Sequence, residues 1–279
     1  RHTRYWRDWS SDVCSSDLKA RSVKGIVKTG RTHLMDAMPV RLDQELGGWS
    51  AQILSNTLRI KGSLPRLTGL TQGGTAVGTG INAHPEFSKQ FCAALAKRTG
   101  VDFHPLGNFF EAMSSQDTAV EVSGQLKTTA VSLMKIANDL RWMNSGPLAG
   151  LAEIALPALQ PGSSIMPGKV NPVICESVIM VACKVAGNDV TITAGGFGGV
   201  GSLLELNTAM PVVAECLLES IELLANVSRT FQERCVKDLE LNAAAAATVE
   251  RSLMMCTSLA PVIGYDAAAK VAKIGRAHV

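Results

Sequence analysis

Charge is scarce in this sequence: Asp, Glu, Lys and Arg make up 18% of its 279 residues, against roughly 25% in an average soluble domain. With 46% hydrophobic residues, so thin a charge set excludes a disordered chain and points to wide burial, as when helices are covered on several sides in an oligomer. Runs of Lys or Arg are missing too. The 27 basic and 24 acidic residues are scattered, which excludes nucleic acid or an anionic membrane as partner and leaves a small molecule or a protein. A membrane-spanning run is also lacking, since the longest stretch free of Asp, Glu, Lys and Arg, residues 67–85, is broken by Gly69, Gly73, Gly74, Gly78 and Gly80. The seven cysteines (Cys14, Cys92, Cys175, Cys183, Cys216, Cys235 and Cys256) form no CxxC or Cys/His cluster. That argues against structural zinc and iron–sulfur sites, and the scattered, odd set reads as buried thiols in a reducing compartment, the cytoplasm or an organelle matrix. No secretory leader pattern opens the sequence, and no segment alternates as a half-buried strand does.

What is present is helical periodicity. Leu42, Leu46, Trp49, Ile53, Ile60, Leu64 and Leu67 recur at threes and fours or their sum, the stripe of a long amphipathic helix that Pro65 should kink or end. Val122, Leu126, Thr129, Leu133, Ile136, Leu140 and Met143 keep the same spacing and stop at Ser145-Gly146-Pro147, which predicts a helix over 115–143. A third helix is expected with Asn171 as N-cap, Pro172 at its first position and Ile174, Val178, Val181 and Val185 on one face. A fourth carries Ala214, Leu217, Ile221, Leu224, Ser228, Phe231 and Cys235, and residues 85–100 suit a shorter one. Long helices with near-heptad stripes joined by Gly-rich segments predict an all-α bundle. These stripes are core, so chemistry belongs to the connecting segments.

The segment QPGSSIMPGKVNPVICE, residues 160–176, is the most informative. Ser163 and Ser164 follow Gly162, Gly168 precedes Lys169, and Asn171-Pro172 open a helix. The loop can swing on its glycines and brings a cation and a helix N-terminus together, both favourable to an anion. A bland Gly/Pro loop with an N-cap would account for Gly162, Asn171 and Pro172 equally well.

The run GSSIMPGKVNP resembles the flexible-loop motif of the fumarase/aspartase superfamily. KTGRTHLMDAMPV (28–40) resembles the second motif of that family, GGTAVGTGIN (73–82) a further segment, and NDLRWMNSGP (138–147) the end of its long central helix. The similarity runs from about residue 28 to residue 270. NFFEA (108–112) and RWMNSGP lean toward class II fumarases, with aspartate ammonia-lyase as the alternative and a noncatalytic structural bundle as a reading of another class.

The resemblance implies a fumarase/aspartase-type bundle and reversible hydration of fumarate to (S)-malate through an aci-carboxylate. Such chemistry needs a base for the proton next to a carboxylate, an acid for the departing hydroxyl, and donors around the carboxylates. By resemblance Ser163 is the base, activated by Lys169, loop amides and the following helix end. His33 activates or protonates the water, and Glu176 pairs with a histidine of this kind. Thr32, Ser164, Lys169, Val170 (through its backbone) and Asn171 match substrate-binding positions. Neutral donors with one cation suit a dicarboxylate and require neither metal nor other cofactor. GGTAVGTG lacks the GxxxxGK[ST] form, so it reads as close helix packing near the active site rather than a nucleotide loop.

In the resembled family four chains share a central bundle, and each active site combines motifs from three of them, implying a homotetramer. The first of those motifs has no counterpart here, and GGFGGVGSLLEL (195–206) is a longer Gly/Ser run than the family's usual segment. The domain expectation is a non-native flank at 1–18, a central bundle over 19–241, the start of a small helical domain at 242–272 and a second non-native flank at 273–279.

Overall fold

The computed structural model describes residues 19–242 and 247–276. The opening flank with Cys14, and 277–279 of the closing one, lie outside the described residues. A hairpin of β1 (Val27–Thr32) and β2 (Met35–Arg41) leads into α1 (Leu42–Leu67). There follow α2 (Phe87–Thr99), α3 (Phe109–Ser114), α4 (Asp117–Met143), α5 (Val173–Gly196), α6 (Met210–Phe231) and α7 (Tyr265–Arg276). Helix α7 continues through Lys273, where the sequence reading placed the start of the closing flank.

The chain forms two compact units. One holds Gln52–Ala137 and Glu176–Thr230; the other holds residues 19–51, Asn138–Cys175 and the residues from 231 onward.

The helices stand where the apolar spacing predicts them. Pro65 is tolerated in the last turn of α1, which ends at Leu67. On α4 all seven stripe positions are at most 5% exposed, so the stripe is core along its whole length. Helix α6 differs. Its buried line begins at Val213 and runs through Ser220, Leu224, Val227 and Phe231, while Ala214 faces solvent. The chain then widens into a π-turn at Gln232–Val236, in which Cys235 is buried.

The first unit is seamed by polar pairs inside its apolar core. Asn56 Nδ2 donates to Ser132 Oγ at 2.8 Å, joining α1 to α4. Ser123 Oγ donates to buried Asp189 at 2.7 Å, and Lys127 pairs with the same carboxylate, joining α4 to α5. Asn188 Nδ2 reaches Ser220 Oγ at 3.0 Å and Glu219 at 2.9 Å, joining α5 to α6. The Asn188 amide first and Lys184 second hold the Glu219 carboxyl below its usual range. Each bond is worth only about 1 kcal/mol net, but sliding one helix by a turn of ~5.4 Å would strand every buried partner. These pairs therefore fix register more than they add stability.

The hairpin corrects the expectation of no strands. Its register pairs Val27 with Arg41 and Thr32 with Met35, and shifts between Thr29 and Arg31. Three successive residues of β1, Lys28, Thr29 and Gly30, are buried, so no alternation exists to be read. A Cβ on Gly30 would lie 2.5 Å from the Met38 carbonyl, which makes glycine obligatory at the bulge.

Cys92, Cys175 and Cys235 are buried as expected, but Cys183 is exposed and Cys216 and Cys256 are intermediate. Cys175 and Cys235 lie 3.7 Å apart, and the Cys175 sulfur together with burial pushes the Cys235 thiol up. Among the described residues no helix is long and apolar enough to cross a membrane.

Candidate functional site

Two loops of the second unit carry most of the residues singled out by sequence. In the first, Thr32 closes β1, and the two-residue turn to Met35 is made by His33 (φ 55°) and Leu34 (φ 61°). Positive φ at both central residues defines the tight turn that matches strand twist, a turn usually built from Asn and Gly. Here two side chains occupy it, at about 1–2 kcal/mol each. His33 stands at the exposed tip, and Leu34 is 63% exposed. Leu34→Gly is expected to raise stability by about 0.5–1 kcal/mol, after subtraction of glycine's extra freedom in the unfolded chain. A denaturation midpoint that fell instead would show that the turn is not strained.

The second loop follows Gln160. Its neck is drawn shut by Gly162, whose N–H donates to the Lys169 carbonyl at 2.7 Å and whose carbonyl accepts from Asn171 Nδ2 at 2.9 Å. A Cβ on Gly162 would lie 2.6 Å from the Lys169 oxygen and 2.7 Å from the Asn171 nitrogen. Asn171 thus serves the neck, and α5 begins after Pro172, at Val173. Above the neck, Ser163 Oγ accepts from the amides of Ile165 at 3.3 Å and Met166 at 3.1 Å. Two N–H groups aimed at a hydroxyl oxygen favour its ionised form. Ser164, Lys169 and Val170 are exposed on the same loop, and among the described residues no carboxylate pairs with Lys169. Its charge is available to an incoming anion.

Ser163, Lys169 and Asn171 are thus gathered on one closed loop. Among the described residues no hydrogen bond or ion pair links His33 to them. Glu176 belongs to the first unit, in the first turn of α5, where the helix dipole favours a carboxylate.

Sequence reasoning missed the ionic cluster beneath the hairpin. Lys28 Nζ lies 2.8 Å from Glu45 and 3.3 Å from Glu153, and Arg31 forks onto both oxygens of Glu153. Hydrogen bonding to Glu153 holds the Arg31 guanidinium above its ordinary pKa despite partial burial. No local signal marks these pairs, because Glu153 is 122 residues from Arg31. The amide pair on Ser163 was more legible, since a serine after glycine commonly turns back on amides two and three residues ahead.

In the first unit GGTAVGTGIN packs closely, as expected: a Cβ on Gly74 would lie 2.7 Å from the Met113 sulfur, and one on Gly78 3.0 Å from the Phe110 ring. Gly73, Thr75 and Asn82 also line a cavity of about 570 Å³, with Gln72, His84 and Gln116 among its other walls. Among the described residues no three His, Cys, Asp or Glu side chains gather as a metal site.

The family model described as Lyase matches residues 15–187, and the chain belongs to that family. It is 56% identical over 256 residues to fumarate hydratase class II 2 of Pseudomonas aeruginosa, covering 91% of this chain and 55% of that protein. Fumarate hydratase class II of Xylella fastidiosa is 52% identical over 256 residues, with 91% and 54% covered. Among solved structures, the recombinant class II fumarase from Schistosoma mansoni superposes with a TM-score of 0.93 at 38% identity, covering 96% of this chain and 59% of that one. The chain spans about half the length of the curated relatives it matches. These likenesses agree with the all-α bundle of the fumarase/aspartase type expected from sequence.

Proposed function

We propose that the whole protein carrying this chain interconverts fumarate and (S)-malate by acid–base chemistry, with Ser163 as the base. The observation that carries the reading is the pair of amides on Ser163 Oγ, in a loop that also presents Lys169 and Asn171. Names of relatives that are class II fumarate hydratases support the substrate.

In this mechanism Ser163 takes the proton from the carbon next to a malate carboxylate. The electron pair moves onto that carboxylate as an aci-carboxylate, which Lys169, Asn171, Ser164, Thr32 and the Val170 backbone stabilise. His33 protonates the departing hydroxyl, and Glu176 orients such an imidazole. No step needs a metal or another cofactor. Domain limits of 19–241 for the catalytic bundle and 242–272 for the start of a small helical domain, and a cytoplasmic setting, belong to the same proposal. Supplying the whole protein with malate and, separately, with aspartate while following fumarate absorbance tests it; fumarate formed from aspartate alone would make it an ammonia-lyase.

A homotetramer with shared sites completes the proposal. Large exposed apolar side chains on the long helices support it: Leu58, Val131, Met180, Val190 and Leu218 are each more than 50% exposed. If His33 and Ser163 of one site come from different chains, a His33→Asn protein mixed and reassembled with a Ser163→Ala protein should regain activity. Random assembly makes about a quarter of the sites intact. No recovery would oppose sharing between chains.

A further inference from the structure

We propose that Glu153 is a positioning residue for the Thr32-His33 turn, an inference that rests on the role given above to His33. The side chain of Glu153 is 4% exposed and meets two cations of β1, Lys28 (3% exposed) and Arg31 (19% exposed). Its backbone is tied elsewhere: the Glu153 N–H donates to the Met143 carbonyl at the end of α4 at 2.8 Å, and its carbonyl accepts from the Asn242 N–H at 2.9 Å. Glu153 therefore joins the hairpin to the frame through one carboxylate.

The contact falls at a sensitive place. Arg31 follows the bulge at Gly30 and precedes Thr32, whose backbone pairs with Met35 of the same hairpin, so the fork on Glu153 anchors the hairpin to the frame immediately before the turn. Beyond it stand two side-chain-bearing residues in the left-handed region, and such conformations persist only where the surroundings over-determine them. A planar guanidinium gripped at both ends sets direction as well as distance, which a lysine in its place would not. Lys28 is shared with Glu45 in the first turn of α1, so it holds the base of the strand; Arg31 aims the tip.

The test uses the whole enzyme with Glu153→Gln and, because removing a buried charge can unfold a protein, with Arg31→Lys, which keeps both charges and breaks only the fork. Each should lower kcat for malate dehydration on the order of 10²-fold, the effect of a misplacement of about 1 Å. Hydrogen exchange should quicken in the 27–41 peptide and not in peptides of α4. In a His33→Asn background Glu153→Gln should add less than about threefold, since a residue acting through His33 has nothing left to position. Unchanged exchange over 27–41 in both variants, or a full multiplicative loss on top of His33→Asn, would overturn the assignment. If the enzyme turned over no malate, the functional reading would fall, and the exchange comparison would still decide whether Glu153 holds the turn.

Discussion

Replacing Ser163 by alanine in the whole enzyme is expected to lower kcat for malate dehydration by about 10²- to 10⁴-fold, the range spanned by proton-transfer groups. KM should move little, because Lys169 and Asn171 keep their places at and above the neck. Folding should survive: among the described residues, the hydrogen bonds of Ser163 Oγ run to the Ile165 and Met166 amides within the loop. An unassisted serine hydroxyl is far too weak an acid to act as a base near pH 7, so the argument depends on those amides and on the Lys169 charge. His33→Asn should produce a loss of similar size by removing the partner acid. Full turnover by Ser163→Ala would eliminate serine as the base.

Gly162→Ala is expected to lower kcat/KM on the order of 10²-fold without touching any reacting group. The added methyl would sit 2.6 Å from the Lys169 oxygen and 2.7 Å from the Asn171 nitrogen, both backbone atoms that cannot rotate away. The neck must open, and with it go the bonds from the Gly162 N–H and from Asn171 Nδ2. Lys169 and Ser163 then lose their common frame, and misplacement by about 1 Å is enough for a loss of this size. Because the loop is exposed, the thermal midpoint should hold. Steady-state kinetics beside a melting curve checks both; wild-type kinetics would mean that the closed neck is dispensable.

Legibility from sequence followed the physics of each element. The α4 stripe was readable to its last residue because apolar burial repeats with the helix period. The α6 seam was misread by a position at its start, since its interior includes Ser220, whose burial depends on Asn188 of another helix. The hairpin escaped because a lysine, a threonine and a glycine are buried in succession, and the lysine is tolerable there only through Glu45 and Glu153. Ser163, Lys169 and Asn171 were legible as a cluster because they lie within nine residues of Gly162. The relation of His33 to them was not, since no pattern in one chain encodes it.

The division of the first unit bears on how the protein is made. Its two stretches, Gln52–Ala137 and Glu176–Thr230, are separated in the chain, and Ser123 and Lys127 of the first find their partner, Asp189, only in the second. At ~5–20 residues per second, a ribosome needs roughly 5–20 s to travel from Ala137 to Thr230. During that interval the apolar line of Val122, Leu126 and Leu133 has been synthesised while the faces of α5 and α6 that belong to the same core have not. Until that interval ends, the apolar line of the first stretch stands without the helices that cover it in the folded unit.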